Sequence, residues 1–262
     1  MNPIFNLNEL RGKKHSIQKR DWTAIVPMAG MGTRLNYSKP KALYPILGRS
    51  ILDWLLTTLE DCCAKTVLVV SPNGLKEIES EVVRLKKQNF VDYVVQTYPR
   101  GMADAVLTAE SKVHTPHSLV VWGDQVTIRS STLIFCESLL EKHKAKLTLP
   151  SYLKKNPYIC FDRDDAGKLI RVRQKREGEI HEEIGENDCG VFCFESEFLF
   201  NVLKTEKSLG KNTEEYNLLP LLPKFNDKMN QVLTLRLDSE EETLGVNTLE
   251  DAKQAERILS ER

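Results

Sequence analysis

The chain has 262 residues, 41% of them hydrophobic and 28% charged, with 37 basic and 37 acidic side chains. That length and composition fit one large α/β domain or two small ones, and a net charge near zero gives no footing for bulk attraction to nucleic acid or to a membrane surface. No apolar stretch reaches spanning length and the N-terminus lacks a hydrophobic signal core, so no membrane contact is expected. The six cysteines, Cys62, Cys63, Cys136, Cys160, Cys189 and Cys193, form no C-x-x-C pair and mostly sit among apolar neighbours. They read as free, buried thiols, which suits a reducing, cytoplasmic setting.

Residues 1–20 form a polar, basic leader carrying Arg11, Lys13, Lys14, Lys19 and Arg20. It reads as a mobile tail or a strap lying on the domain, with the one domain itself spanning 21–262. Thr23 to Met28 is a short, β-branched apolar run and predicts a buried strand. A Gly-rich turn follows. Gly30 and Gly32 let the backbone turn tightly and aim several N–H groups at an anion, with Arg34 and Lys41 as nearby fixed positive charge. Two glycines alone read equally as an ordinary βα turn, and the loop matches neither the P-loop nor the dinucleotide fingerprint. Ser50 then predicts a helix N-cap, with Ile51, Leu52, Leu55, Leu56 and Leu59 at helical spacing. Thr66 to Val70 predicts a strand closed by Ser71-Pro72-Asn73-Gly74, Leu75 to Gln88 an amphipathic helix, and Val91 to Val95 a third strand. Strands and helices alternate with short connections. The fold class expected is therefore α/β: a doubly wound, mostly parallel, Rossmann-like sheet with ligands at the carboxyl ends of its strands.

Gln96 to Ala105 leaves the third strand, and Gly101 leads into a helix. Gln96 carries a donor and an acceptor, which is the equipment for reading a base edge, although the stretch alone is also a plain loop. Ser118 to Trp122 predicts the fourth strand, ended by Gly123-Asp124. That aspartate is either a turn residue or a metal ligand. Beyond Ser130 a helix runs to about Lys144, and strands are expected over Ala145 to Leu149, Tyr158 to Arg163, Leu169 to Lys175 and Asp188 to Glu195. The Asp164-Asp165-Ala166-Gly167 stretch is a hairpin signal. This half looks more antiparallel and predicts a smaller lobe of one continuous fold. Glu214-Glu215-Tyr216-Asn217 leads an apolar run expected to be helical through Leu222. Leu244 to Thr248 precedes an amphipathic helix ending near Ile258, and Asn247 there reads as a cap or as a ligand.

Gly30-x-Gly32-Thr33-Arg34 followed by Pro40-Lys41 resembles the signature of the nucleotide-sugar pyrophosphorylases, the sugar-1-phosphate nucleotidyltransferases. The likeness runs from Thr23 to about Leu259 and is closest to the uridyltransferase domains of the bacterial N-acetylglucosamine-1-phosphate uridyltransferases. The resemblance implies that Ala29, Gly30, Gly32 and Thr33 hold the triphosphate, that Arg34 and Lys41 are catalytic, and that Gln96 and Gly101 face the base. It implies Asp124 and Asn247 as Mg²⁺ ligands, and Gln174, Lys175, Asp188 and Glu215 as sugar-side residues. Several positions depart from the family pattern. Met102 and Asp104 stand where Thr and His are usual, Ile159 where a Gly is, Gln174 where a Glu is, and Asp188 where an Asn is. The implied reaction takes a nucleoside triphosphate, UTP first, and a sugar 1-phosphate, and gives an NDP-sugar and pyrophosphate. Transfer of CMP to a phosphorylated alcohol is the same-class alternative, and a silent nucleotide-sensing regulatory subunit is the other. Presence of Lys41, Asp124 and Asn247 favours a working enzyme over the latter. No counterpart of the β-helix that carries acetyltransferase activity in bifunctional members is seen, so acetyl transfer is not expected.

Overall fold

A computed structural model describes residues 3–12, 15–30, 32–226 and 232–262. Its first half runs β1 (Ile4–Asn6), α1 (Leu7–Leu10), β2 (Trp22–Pro27), the short pair β3 (Pro45–Ile46) and β4 (Arg49–Ser50), α2 (Ile51–Leu59), β5 (Lys65–Val70), α3 (Leu75–Arg84), β6 (Val91–Val95), α4 (Met102–Thr108) and β7 (His117–Val121). The second half runs α5 (Ser130–His143), β8 (Leu147–Lys155), β9 (Ile159–Arg163), β10 (Leu169–Gln174), β11 (Ile184–Asp188), β12 (Val191–Glu195), α6 (Ser196–Thr205), β13 (Leu233–Arg236) and α7 (Leu249–Ser260).

The main sheet has the order β1-β13-β8-β12-β7-β2-β5-β6, with β11 pairing with β8 as well. β2 is parallel to β5 and β7, and β5 to β6. β12 runs antiparallel between β7 and β8, while β13 is parallel to β8. The β9–β10 hairpin forms a separate antiparallel sheet. The fold is thus the expected mostly parallel α/β sheet with a smaller antiparallel part.

Period-two alternation sorts the strand side chains into two cores. Trp22, Ala24 and Val26 of β2 and Val191 and Cys193 of β12 join one, with α2, α3 and α5. Ile25, Phe192 and Phe194 point the other way and join α4 and α6. Ser50 caps α2 by accepting from the Asp53 N–H at 3.1 Å, and Ile51, Leu52, Leu55, Leu56 and Leu59 of that helix are buried. All six cysteines are free and buried. No helix among the described residues is long and apolar enough to cross a membrane.

Four expectations change. The leader expected to lie outside the domain contributes β1, which pairs parallel with β13, and Leu7 and Leu10 join the core. The sheet therefore takes residues from before the boundary drawn at 20, because a basic composition hides one short apolar edge strand. Lys13 and Lys14 of the leader lie outside the described residues. The helix expected through Gln88 ends at Arg84, because Val82 is its last buried residue and Lys86 turns to φ 58°. The strand expected over Asp188–Glu195 breaks at Gly190, whose φ is 67°, into the end of β11 and the start of β12. The run after Tyr216 is a 3-10 helix, Leu219–Phe225, rather than an α-helix. Pro220 and Pro223 lack the N–H groups that an α-helical ladder needs.

One core residue fits badly. Glu137 on α5 is fully buried, and neither of its oxygens meets a partner among the described residues. Burial holds its carboxyl well above the usual range, and Glu141 adds to the shift. The folded state therefore keeps a proton that the unfolded chain gives up above about pH 4.5, so this residue lowers stability as pH rises. Glu137→Met should stabilise the protein by roughly 1–3 kcal/mol, with a larger rise in Tm at pH 8 than at pH 5. An equal rise at both pH values, or none, would contradict the buried-acid reading.

Candidate active site at the carboxyl ends of the strands

The glycine loop leaves the carboxyl end of β2 and returns under its own lysine. Gly32 has φ 62°, and a Cβ there would lie 3.1 Å from Lys41 Cα, so only glycine permits this approach. The Lys41 N–H donates to the Gly30 carbonyl at 3.3 Å. On the other side the Pro40 ring packs on Gly74, where a Cβ would meet Pro40 Cγ at 3.2 Å. Lys41 is held at its backbone from both directions. Met31 and the Thr33 side chain lie outside the described residues.

From that position the Lys41 ammonium donates to Asp124 Oδ2 at 2.7 Å and to Asn247 Oδ1 at 2.9 Å. Arg34 Nη2 donates to the same Asn247 oxygen at 3.1 Å. Asp124 follows β7 through Gly123, where a Cβ would stand 2.8 Å from the Pro27 carbonyl oxygen. Its own backbone carbonyl accepts from Val246 N at 3.0 Å, and a Cβ on Gly245 would come within 3.3 Å of its carboxyl carbon. Asn247 is not the helix cap. Thr248 is, accepting from Asp251 N at 3.2 Å while Asp251 accepts from Thr248 N at 2.8 Å. The Asn247 side chain is thereby left for the site, and its Nδ2 donates to Gly245 O at 3.2 Å, which aims Oδ1 at the cations.

Lys41 and Asp124 side chains are each 18% exposed, so their attraction is less screened than that of a solvated surface pair, which contributes ~0–1 kcal/mol. Asp124 Oδ2 and Asn247 Oδ1 converge on one positive centre, here the ammonium. Two hard oxygens meeting at one cation form a donor set that suits a small divalent ion whose remaining ligands come from phosphates. Among the described residues no group of three or more His, Cys, Asp or Glu side chains gathers in metal-binding geometry.

The turn from β11 into the antiparallel strand β12 brings a further carboxylate to this place. Val191 pairs with Val121, so the turn before β12 lies beside the end of β7, and Trp122 N donates to Gly190 O at 2.9 Å. Asp188 is buried there and accepts from Gly190 N at 3.0 Å. Burial, with Asp124 nearby, pushes its carboxyl up to about 6 against the Gly190 hydrogen bond. Asn187 was not singled out in the sequence. Its Oδ1 accepts from Tyr158 N at 3.2 Å and Ile159 N at 3.0 Å, tying the hairpin to β11.

After β6, Gln96 is buried and its Nε2 donates to Gly101 O at 3.1 Å and to Asp104 Oδ2 at 2.8 Å. Both partners are acceptors, which fixes the amide orientation. Of the donor and acceptor expected at Gln96, the donor is committed within the fold and the carbonyl oxygen is what it offers. Gly101 has φ 112°, and a Cβ there would stand 2.5 Å from Tyr216 O and 3.0 Å from Glu215 Cβ. The acidic-Tyr segment thus rests directly on the loop before α4. Gln174 is linked to Glu215 through Arg176, which donates to Gln174 Oε1 at 3.2 Å and to Glu215 Oε2 at 3.1 Å. Arg176 had no sequence signal, since Lys-Arg-Glu after a strand reads as a solvated turn. Lys175 is exposed and its side chain meets no partner among the described residues, so the structure does not join it to the Lys41 group. Arg34, Lys41, Asp124 and Asn247 are joined directly. Gln96, Gly101, Glu215 and Gln174 form a second connected set.

A glycine loop, a placed lysine and an oxygen pair at the carboxyl end of a doubly wound sheet define a nucleotide-handling α/β protein. Residues 24–186 match the family described as the MobA-like NTP transferase domain, and the chain belongs to that family. It is 28% identical over 248 residues to the bifunctional protein GlmU of Listeria monocytogenes, covering 91% of this chain and 52% of that protein. The chain spans about half the length of the curated relatives it matches. Among solved structures, a UDP-glucose pyrophosphorylase complexed with UDP-glucose superimposes with a TM-score of 0.72 at 16% identity, covering 92% of this chain and 98% of that one. A Bacillus anthracis protein assigned as a glucose-1-phosphate thymidylyltransferase, solved with sucrose, gives 0.74 at 15% identity, covering 90% and 94%. At those identities the likeness concerns the fold.

The two glycine positions differ sharply in what they tolerate. Gly30 has open space around it and Gly101 has none. Gly101→Ala should cost on the order of 1–3 kcal/mol through its positive φ and the Tyr216 contact, read as a fall in the midpoint of urea unfolding. Gly30→Ala should leave that midpoint within error. Matching midpoints for the two variants would contradict the packing described.

Proposed function

We propose that the protein transfers a nucleoside monophosphate, UMP in the first instance, from an NTP to a sugar 1-phosphate. An oxygen of the sugar phosphate attacks the α-phosphorus, the bond from that phosphorus to the β-bridging oxygen breaks, and pyrophosphate leaves. The observation that carries this reading is the convergence of Lys41, Arg34, Asp124 and Asn247 on one point beside the glycine loop. Several negative charges must meet in this reaction, so position and electrostatic stabilisation are the protein's main contribution.

Backbone amides of the glycine loop, with Arg34, would hold the β- and γ-phosphates. Lys41 would meet charge that builds on the α-phosphate in the transition state. Asp124 and Asn247 would hold Mg²⁺, which when bound supplies charge neutralisation and a template for the two phosphates. The Gln96 carbonyl oxygen accepts only, so it suits an N–H on the base edge. The N3–H of uracil is one such donor, and UTP is kept as the first choice on the family resemblance. Gln174 and Glu215 would receive the sugar hydroxyls. A setting among soluble metabolites of the cytoplasm accords with substrates of this kind.

Lys41→Ala should lower kcat by roughly 10²–10³, the range for one lost preorganised donor, with smaller changes in KM. Lys41→Arg should not restore it, because a planar fork does not replace a compact ammonium between two oxygens. Lys39 is exposed and serves as the comparison: Lys39→Ala should change little. Asp124→Ala should abolish Mg²⁺-dependent turnover with circular dichroism unchanged. The measurement is pyrophosphate release over the four common NTPs and a panel of sugar 1-phosphates. Equal losses at Lys39 and Lys41 would reduce the pair to a general basic patch, and preference for CTP would move the assignment to cytidylyl transfer.

A further inference from the structure

Strand β10 ends in Gln174, and a single 3-10 turn, Lys175–Glu177, follows. Arg176 in that turn directs its whole fork inward. Nε donates to Gln174 Oε1 at 3.2 Å, Nη1 to Glu215 Oε2 at 3.1 Å, and Nη2 to Asn217 Oδ1. Glu177 beside it fastens the facing loop, accepting from Asn212 N at 2.7 Å and Thr213 Oγ1 at 3.0 Å. That loop leads into the segment resting on the loop before α4, where Tyr216 N donates to Arg100 O at 2.7 Å and Ala103 N to Tyr216 O at 3.0 Å. One guanidinium therefore joins the end of the acceptor-side hairpin to the nucleotide side.

The fork also decides what each partner has left. With its carbonyl oxygen taken by Arg176, Gln174, 2% exposed, has its Nε2 donors left, and they meet no acceptor among the described residues. Glu215, with Oε2 taken, presents Oε1 as an acceptor. A glutamate at 174, the residue in the resembling family, would present acceptors alone. Here one donor and one acceptor stand on either side of a rigid planar cation. That arrangement matches a pair of sugar hydroxyls, each of which both donates and accepts.

We infer that Arg176 is the positioning residue of the acceptor side, holding Gln174 as a donor and Glu215 as an acceptor toward hydroxyls of the sugar 1-phosphate. The inference rests on the proposed nucleotidyl transfer and makes Arg176 selective for one of its two substrates. Lysine cannot serve in its place, because a single ammonium does not span three oxygens in fixed geometry.

The test is steady-state kinetics of pyrophosphate release with both substrates varied, on wild type, Arg176→Ala and Arg176→Lys, with Tm recorded for each. Arg176→Ala should raise the KM of the sugar 1-phosphate about tenfold or more, the scale of losing one oriented polar contact, and leave the NTP KM within about twofold. Arg176→Lys should keep the fold and still show a raised acceptor KM. A deoxy sugar 1-phosphate that lacks the contacted hydroxyl should be penalised in wild type and lose most of that penalty in Arg176→Ala, as coupling through one contact requires. A residue that only supports the fold would move both KM values together and leave the deoxy penalty intact, and that result would overturn the inference. So would an acceptor KM within about twofold of wild type in either variant. Should Arg176→Ala fail to fold, Arg176→Lys with the deoxy substrate decides alone. Failure of the transfer reading itself shows elsewhere, as no turnover by wild type with any pair of substrates, and it would remove the inference as well.

Discussion

The structure depends on three separate chain segments meeting at one point with no room for a side chain between them. Lys41 comes from the glycine loop, Asp124 from the end of β7, and Asn247 from the approach to α7. Each arrives beside a glycine. Gly32 lies against Lys41, Gly123 against the Pro27 carbonyl, and Gly245 against the Asp124 carboxyl. A methyl group at Gly123 would require backbone to move, and at Gly32 or Gly245 it would press on Lys41 or Asp124. The electrostatic attraction among the three side chains is local, but the close approach that permits it is set by packing.

The main sheet makes that approach possible. Its parallel half delivers β2, β5, β6 and β7 with their carboxyl ends on one edge. Reversed strand β12 then delivers its beginning, rather than its end, to the same edge. This is why the turn holding Asp188 reaches Asp124 although 63 positions separate them, from 124 to 188 exclusive. Alternation within β12 serves two cores at once, with Val191 and Cys193 on one side and Phe192 and Phe194 on the other. Such a strand cannot slip by one residue without exchanging its cores, so packing fixes the site's register.

Around Gln96, Gln174 and Glu215 the polar groups satisfy one another in pairs that limit what remains free. Gln96 keeps its carbonyl, Gln174 its amide nitrogen, and Glu215 one oxygen. Asp104 and Arg176 make those choices. Both act through the side chain they hold, and both differ from what composition suggests, namely an ordinary helix acid and a solvated cation. Which polar atoms stay free there is thus decided by the side chains behind them.

Sequence by itself determined most of the elements and singled out residues that converge beside the glycine loop. The β2 run, the Ser50 cap with its helical apolar spacing, the Gly123-Asp124 turn and the Gly30 to Lys41 loop are all local patterns. Propensity, capping and close backbone approach act over a few residues, so they can be read without a fold. Tertiary structure alone decided the antiparallel insertion of β12 between β7 and β8 and the recruitment of Ile4–Asn6 as an edge strand. It alone decided which half of the Gln96 amide stays free and that Arg176 grips Gln174 and Glu215. The last two depend on partners 2 to 41 positions away, from Gln174 to Asn217 for Arg176. A side chain's role there is set by which acceptor it meets in space, and that meeting is a property of the packed sheet.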